Sequence, residues 1–388
     1  MAEYLTNTTD LTKVASAIRE KGGTSASLVY PDGFVTAIQA IQTGTELQII
    51  VTVTSGATVT ATKGSKVVSG TSVNGTCTLT VPEAGTWSVK ATLNGQTSDT
   101  KSVTFTDSYV MSFSLVSAVL NDNDWSKIKE VSDKGEGANY WSIGDCKAVT
   151  VNGTVGTQAV NGTYYAYIIG FNHNSSKEGN GITFGTFKTA LSGGTDICLV
   201  DGKYDGYSTN GTKYFNMNHS SNTNSGGWKG CDLRYDVLGS TNTNDGDATA
   251  TTATNPVANT LMAALPSDLR AVMQPMTIYT DNTGGGSDNA SYVTKTTDYL
   301  PLLAEYEIFG TRTYANSAEK NYQAQYAYYS AGNSKVKYRH SATGSTAWWW
   351  ERSPYYGDSD YFCNVYTDGY ASVDNAEYSD GVAPIFRV

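Results

Sequence analysis

Tyr355-Tyr356-Gly357-Asp358-Ser359-Asp360-Tyr361-Phe362-Cys363-Asn364-Val365-Tyr366-Thr367-Asp368-Gly369-Tyr370-Ala371-Ser372-Val373-Asp374-Asn375-Ala376-Glu377-Tyr378-Ser379-Asp380 is the stretch whose composition departs most from that of an ordinary domain. Small or apolar residues interrupt it at Phe362, Cys363, Val365, Gly369, Ala371 and Ala376, which read as the inward positions of a strand meander. Tyr, Asp, Ser, Asn and Thr fill most of the rest. Tyrosine offers a large contact area for little side-chain entropy, and Asp, Ser and Asn offer adaptable hydrogen bonds, a composition close to that of antibody binding loops. A solubilising surface is not written this way. The candidate ligand-binding residues are therefore Tyr355, Tyr356, Asp358, Ser359, Asp360, Tyr361, Asn364, Tyr366, Asp368, Tyr370, Ser372, Asp374, Asn375, Tyr378 and Asp380.

Ala347-Trp348-Trp349-Trp350-Glu351-Arg352-Ser353-Pro354 precedes this stretch and Gly381-Val382-Ala383-Pro384-Ile385-Phe386-Arg387-Val388 follows it. Further upstream stand Trp141-Ser142-Ile143-Gly144-Asp145-Cys146-Lys147, Ile168-Ile169-Gly170-Phe171-Asn172-His173, Gly226-Gly227-Trp228-Lys229-Gly230-Cys231-Asp232-Leu233-Arg234 and Glu305-Tyr306-Glu307-Ile308-Phe309-Gly310. In this order, from about Trp125 onward, the motifs resemble a large family of C-type-lectin-like domains from gut bacteria and their phages. Where that family often carries Val-Arg-Pro near its end, this sequence has Val382-Ala383-Pro384. The resemblance implies that Trp349, Trp350, Trp228 and Phe386 fill a core and that Arg352 hydrogen-bonds within the scaffold. Trp348 stays open between packing and carbohydrate stacking.

The same resemblance extends to variable proteins of diversity-generating retroelements, which carry their mutated segment at the end of such a domain. An AAC codon changed only at its adenines yields Tyr, Asp, Ser, Thr, Gly or Val, the residues that fill most outward positions of 355–380. Glu377 does not fit that scheme. The alternative is a Tyr-rich ligand face of fixed sequence.

Elsewhere in the region from 107 to 388, short strands are expected at Ala148 to Val151, Tyr164 to Ile169 and Ile197 to Val200, between loops such as Asn216 to Gly227 and Gly239 to Asp247. Helices are expected over Pro256 to Leu265 and Leu300 to Phe309, and Tyr322, Gln325, Tyr326 and Tyr329 fall at helical spacing. So many loops on scattered aromatics indicate a loop-presenting scaffold.

Residues 45–106 change to a period of two. Gln48 to Val53, Ala57 to Ala61, Cys77 to Val81, Trp87 to Ala91 and Ser102 to Phe105 alternate apolar and polar residues, with tight turns at Asn74-Gly75 and Asn94-Gly95 and a longer corner over Pro82 to Gly85. An Ig-like β-sandwich spacer with Trp87 as core plug is expected. Residues 1–44 hold two short amphipathic helices, one with Leu11, Val14, Ala15 and Ile18 before Gly22-Gly23, the other with Phe34, Ala37, Ile38 and Ile41 before Gly44. Asp10 to Arg19, Leu28 to Phe34 and Ala37-Ile38 resemble an N-terminal segment of tail proteins from phages of gut Gram-positive bacteria. Helices this short are expected to pack on each other and on a partner chain.

Charged residues are only 16% of the sequence and the net charge is −10, which disfavours nucleic acid and anionic lipid as partners. Gly numbers 39 and Tyr 27, in the places where Lys and Glu usually stand. No apolar run reaches membrane-span length, and Met-Ala-Glu-Tyr lacks the basic start of a secretion signal. The five cysteines, Cys77, Cys146, Cys198, Cys231 and Cys363, are scattered and read as buried thiols; no cofactor or metal pattern involves His173, His219 or His340. Asp281-Asn282, Asp245 and Asp247 sit in Gly-rich loops but follow no EF-hand spacing and read as solvated acids. The acids of 355–380 invite a glycosidase reading, yet no nucleophile, base and oxyanion donor assemble.

The expected chain is mainly β with some α: a helical attachment segment (1–44), an Ig-like sandwich (45–106) and a C-type-lectin-like α+β domain (107–388). The resemblances imply a non-enzymatic receptor-binding adhesin of a phage tail, made in the host cytoplasm and carried in the virion. Its expected partners are a bacterial cell-surface protein or glycan and other tail subunits. A homo-oligomer is expected, trimers being common among phage receptor-binding proteins. A tail-associated glycan hydrolase and a bacterial adhesin of fixed sequence are the alternatives.

Overall fold

The computed structural model describes residues 8–22, 25–40, 46–201 and 215–388. Gly23, Ile41 and Gly44, invoked for the two helices, lie outside them. The chain is mainly β with some α, 31% strand and 23% helix. It divides into two compact units, Met1–Leu115 and Val116–Val388.

In the first unit, helices Thr8–Gly22 and Asp32–Ala40 meet through buried Ala15, Ile18 and Phe34, with Leu11, Leu28 and Ala37 half-buried around them. Val14, Val35 and Ile38 remain about half exposed. Helices of 15 and 9 residues have covered only one apolar stripe each. The following residues form two sheets around one core. One sheet orders Thr76–Thr80, Gln48–Thr52 and Tyr109–Ser112, the last pair running parallel. In the other, Gly85–Leu93 pairs with Thr58–Lys63 and with Lys101–Phe105, and Lys66–Thr71 adds an edge. Alternation puts Trp87, Val89 and Ala91 at 0% exposure while Thr86 and Lys90 face out. Asn74-Gly75 and Asn94-Gly95 both take positive φ, the geometry of a two-residue hairpin turn.

Two strands escaped the periodicity. Lys66–Thr71 is an edge with Val67 exposed, and Gly70 lies so close to the facing strand that a Cβ there would sit 2.9 Å from the Leu79 side chain. Tyr109–Ser112 carries the unit on to Leu115, beyond the expected boundary at 106.

The second unit is built on a mixed sheet whose central strand, Ile182–Lys188, pairs with Gly162–Phe171, with Asp196–Ile197 and with Phe386–Arg387. Helix Trp125–Asp133 lies against this junction: the Trp125 ring meets Phe184 at 5.3 Å and Phe386 at 5.9 Å, and Phe184 stacks on Phe386 at 5.2 Å. The Ser132 hydroxyl donates to the Val388 carbonyl and accepts from the Ile182 N–H at 2.9 Å. A second sheet orders Trp349–Pro354, Tyr361–Val365 and Ala371–Asn375, all antiparallel, which is the expected meander. Trp228, Trp349, Trp350 and Phe386 are all at 0% exposure.

Three helical expectations shrink. Of Pro256 to Leu265 only Leu261–Ala264 is helical, because Asn259 turns to φ 61° and Thr260 starts the helix anew, accepting from the Ala263 N–H. Of Leu300 to Phe309 only Glu305–Phe309 is helical. The Pro301 and Leu303 carbonyls accept instead from Ile385 and Arg352, so tertiary bonds hold that segment extended. The spaced tyrosines of 319–329 span a 3-10 turn at Ser317–Asn321 and a short helix at Ala327–Ser330, with the Tyr326 N–H donated to Glu307 between them.

Replacing Trp87 by Ala is expected to destabilise the first unit by about 3–5 kcal/mol. Hydrogen exchange should show the loss across residues 48–105, with the strands of the second unit unchanged.

Candidate binding surface

The meander is anchored from beneath. Arg352, at 0% exposure, donates through Nη1 and Nη2 to the two Glu307 oxygens at 2.6 and 2.5 Å, through Nη1 to the Leu302 carbonyl at 2.7 Å and through Nε to Thr280 Oγ1 at 2.7 Å. Other carboxyls crowd this point. Glu319 accepts from the Asp281 N–H, Ser353 Oγ and Gln323 Nε2, and burial pushes its pKa up to about 7. Glu351 is fully buried, neither of its oxygens meets a hydrogen-bond donor among the described residues, and burial with Glu305 and Glu319 nearby holds it well above the ordinary carboxylate range.

The turn between the first two meander strands is held by a single side chain. Asn224, also at 0% exposure, donates through Nδ2 to the carbonyls of Tyr361 (2.8 Å), Asp358 (2.9 Å) and Tyr355 (3.2 Å), and its Oδ1 accepts from the Gly285 N–H at 2.7 Å. Gly286, at φ 66°, packs against the same turn, where a Cβ would stand 2.9 Å from the Ser359 nitrogen. Asp281 orders that glycine loop by accepting from the Thr283 and Gly284 N–H groups. It is therefore a buried structural acid and not a solvated one.

On this turn Tyr355 meets Tyr314, Tyr356 and Tyr361 edge-on at 5.5, 5.4 and 6.4 Å. The Arg312 guanidinium stands 4.1 Å from the Tyr356 ring centroid and donates to Asp288 at 2.8 Å. Asp358 and Ser359 are exposed, Tyr355, Tyr356, Asp360 and Tyr361 half-buried. Sequence reasoning missed Arg312, Tyr314, Asp288 and Asn224, since only tertiary contact brings them to the turn.

A second group lies at the other end of the Tyr361–Val365 strand, about 13 Å away at the usual rise per residue. Tyr366 and Tyr370 are 42% and 72% exposed, and the half-buried Trp348 ring meets Tyr366 edge-on at 5.4 Å. Asp368, also exposed, accepts from the Tyr370 N–H. Between the two groups runs Ala371–Asn375, every residue of it half-buried, so Ser372, Asp374 and Asn375 are partly accessible, as is Tyr378.

Two candidates fall away. Asn364 and Asp380 are 1% and 2% exposed, and Asn364 Nδ2 donates to Asp380 Oδ2 at 2.8 Å. The Tyr361–Val365 strand is central and covered on both faces beyond Tyr361, so alternation there does not mark a solvent side. Burial raises the Asp374 pKa to about 6, and burial with Asp374 nearby raises Asp380 further. Cys363 is buried, its thiol pushed well up by desolvation. No group of three or more His, Cys, Asp and Glu side chains among the described residues could hold a metal ion.

Residues 211–388, which contain both aromatic groups and Asn224, match a family model described as a domain of unknown function, DUF6273. Neither a curated protein nor a solved structure matches the chain.

Asn224→Ala removes a donor from three carbonyls of the turn, of which Tyr361 keeps the Tyr355 N–H, and is expected to cost about 1–3 kcal/mol. Faster amide exchange confined to 355–361 and 283–286 would report it. The carboxyls give a second expectation. A carboxyl whose folded pKa stands above its unfolded value stabilises the fold below the unfolded value, and that contribution is lost as pH rises through the folded one. For Glu319 the window runs from 4.5 to about 7, and for Asp374 from 3.8 to about 6. The second unit should melt at a higher temperature near pH 5 than near pH 8. Glu351→Gln, which keeps the shape and removes the ionisation, should raise the melting temperature at the higher pH and narrow the difference.

Proposed function

We propose that this chain is a receptor-binding tail component of a phage, carried in the virion, whose C-terminal unit has a C-type-lectin-like fold and binds a bacterial surface ligand through the turns and outer strand of its meander. The observation that carries the reading is the pair of aromatic groups, Tyr355, Tyr356 and Tyr314 with Arg312 at one end and Trp348, Tyr366 and Tyr370 at the other, the first of them seated on the hydrogen bonds of the buried Asn224. Tyr, Trp and Arg on a rigid support are the residues that dominate protein recognition energetics. The two N-terminal helices attach the protein to sister tail subunits or to further copies of itself, which fits their exposed Val14, Val35 and Ile38. A retroelement supplies the variation at the exposed positions of 355–380. A near-copy of those codons differing at adenines, beside a reverse transcriptase gene, is the observation that would establish that part.

A second reading, a tail-associated glycan hydrolase, draws on the neighbouring carboxyls of Asp374 and Asp380 with their raised pKa values. The burial of Asp380 and its bond to Asn364 weigh against it.

Alanine at Tyr356, Tyr366 or Tyr370 is expected to weaken attachment of the purified protein to host cells by about tenfold each, in graded fashion. Unchanged attachment in the triple variant would remove the binding reading. Release of reducing sugar from host envelopes that vanishes in Asp374→Asn would put the hydrolase in its place.

A further inference from the structure

We propose that the outer edge of the Ala371–Asn375 strand takes up an extended polypeptide segment bearing Lys or Arg, which adds to the meander as a fourth strand. This rests on the binding reading above and names the ligand class that the same surface would take.

The strand is the last in its sheet, with Tyr361–Val365 as its one neighbour among the described residues. Bonds at both ends fix which of its backbone groups face outward. The Tyr366 N–H donates to the Tyr370 carbonyl, and the Ala376 N–H donates to the Asp360 carbonyl. In the register Val365↔Ala371 to Tyr361↔Asn375, hydrogen-bonded pairs alternate with non-bonded ones. Counting inward from both ends makes 364/372 and 362/374 the bonded pairs, so Ala371, Val373 and Asn375 turn their N–H and C=O groups away from the sheet. The Asn375 N–H is satisfied by its neighbour Asp374, and its carbonyl by the Tyr378 N–H. Ala371 and Val373 keep two donors and two acceptors at the spacing a paired strand requires.

Exposed edges are usually blunted by Lys, Pro or a bulge. Here the register is regular and neither residue occurs in the strand. The sequence around the edge is acidic: of the carboxyls in residues 355–380, Asp358, Asp360, Asp368, Asp374 and Glu377 are exposed or half-buried and Asp380 is buried, and the segment has no Lys, Arg or His, with Arg312 at Tyr356 and Lys335 at Gly369 as cations beside it. That charge repels a second copy of the same edge and any anionic polymer, so it selects by repulsion as well as attraction. A basic strand gains ladder bonds, neutralises the rim and meets the exposed Tyr366 and Tyr370 rings with its cations.

The test uses the full chain and a dye-labelled hexapeptide alternating lysine and threonine, followed by fluorescence anisotropy. It should bind about tenfold more tightly than its glutamate counterpart and weaken about fivefold or more between about 50 and about 500 mM NaCl. N-methylation of alternate residues along the pairing edge of the peptide, which leaves the protein untouched, should cost about fivefold. Val373→Pro, which removes an outward N–H and none of the ladder bonds to Tyr361–Val365, should match it. Equal or absent binding of the lysine and glutamate peptides overturns the proposal, as does full binding by the N-methylated peptide. If the peptide fails while host attachment still depends on Tyr366 and Tyr370, strand addition falls and the adhesin reading stands; if attachment is indifferent to those tyrosines, the adhesin reading itself falls.

Discussion

The buried pair of Arg352 and Glu307 is the constraint from which the C-terminal unit is organised. A guanidinium at 0% exposure is tolerable only where its hydrogen bonds are nearly all met, and Arg352 meets them with both Glu307 oxygens, the Leu302 carbonyl and Thr280. Each partner belongs to a different element. Glu307 also accepts from the Ala304 N–H that starts its own helix, Leu302 lies in the extended run before it, and Thr280 sits in the Met276–Asp281 strand. One residue further on, Asp281 orders the glycine loop, the loop feeds Asn224, and Asn224 holds the turn at 355–361. The position of a surface tyrosine such as Tyr355 is thus traceable through Asn224, Asp281 and Thr280 to one ion pair in the core.

That framework also divides the meander into residues free to vary and residues that are not. Phe362, Cys363, Asn364 and Val365 are all buried, and the polar member is bonded to Asp380. Substituting Asn364 would strand a buried carboxyl whose pKa is already raised by desolvation. On the proposed reading, diversification has to spare Asn364 and Asp380 although the codons of both contain adenine. The turns carry no such obligation: at Asp358, Ser359, Tyr366, Asp368 and Tyr370 the side chains are exposed, while the turn at 355–361 is held through its backbone carbonyls, which any residue supplies.

Much of this was legible in the sequence where one physical rule acts alone. Strict alternation located the sandwich strands, Asn-Gly pairs located their turns, and the resemblance implied the core positions of Trp228, Trp349, Trp350 and Phe386. Legibility failed where rules compete. The Leu300 to Phe309 pattern is helical in spacing, but Ile385 and Arg352 claim the carbonyls of Pro301 and Leu303. Tyr322, Tyr326 and Tyr329 share a helical period by accident of packing: Tyr322 stacks on Tyr279 at 4.6 Å and Tyr326 on His173 at 3.6 Å. Asn364 and Asp380 read as outward by polarity, but Asn364 lies in a strand covered on both faces and Asp380 is buried against it. Asn224 and Arg312 carry no local signal at all, since their roles exist only once Tyr355 and Tyr356, 131 and 44 positions further along, have folded back upon them.

On the proposed reading, the arrangement bears on how such a surface could hold a cell. Its aromatic groups are small and about 13 Å apart, and side chains such as Tyr355 and Tyr356 are already half-committed to one another. Rigid, partly buried aromatics lose little entropy on binding, but they also have less fresh area to bury, so each site gains selectivity more than strength. Strength then has to come from number. A ligand engaged by several copies at once multiplies weak contacts by effective concentration without any new residue at the site. The N-terminal helices, whose Val14, Val35 and Ile38 are left half exposed, are the part of the chain whose chemistry fits gathering those copies. Strength through number and specificity would thus be assigned to opposite ends of the sequence, leaving the meander turns to change without cost to the gathering of copies.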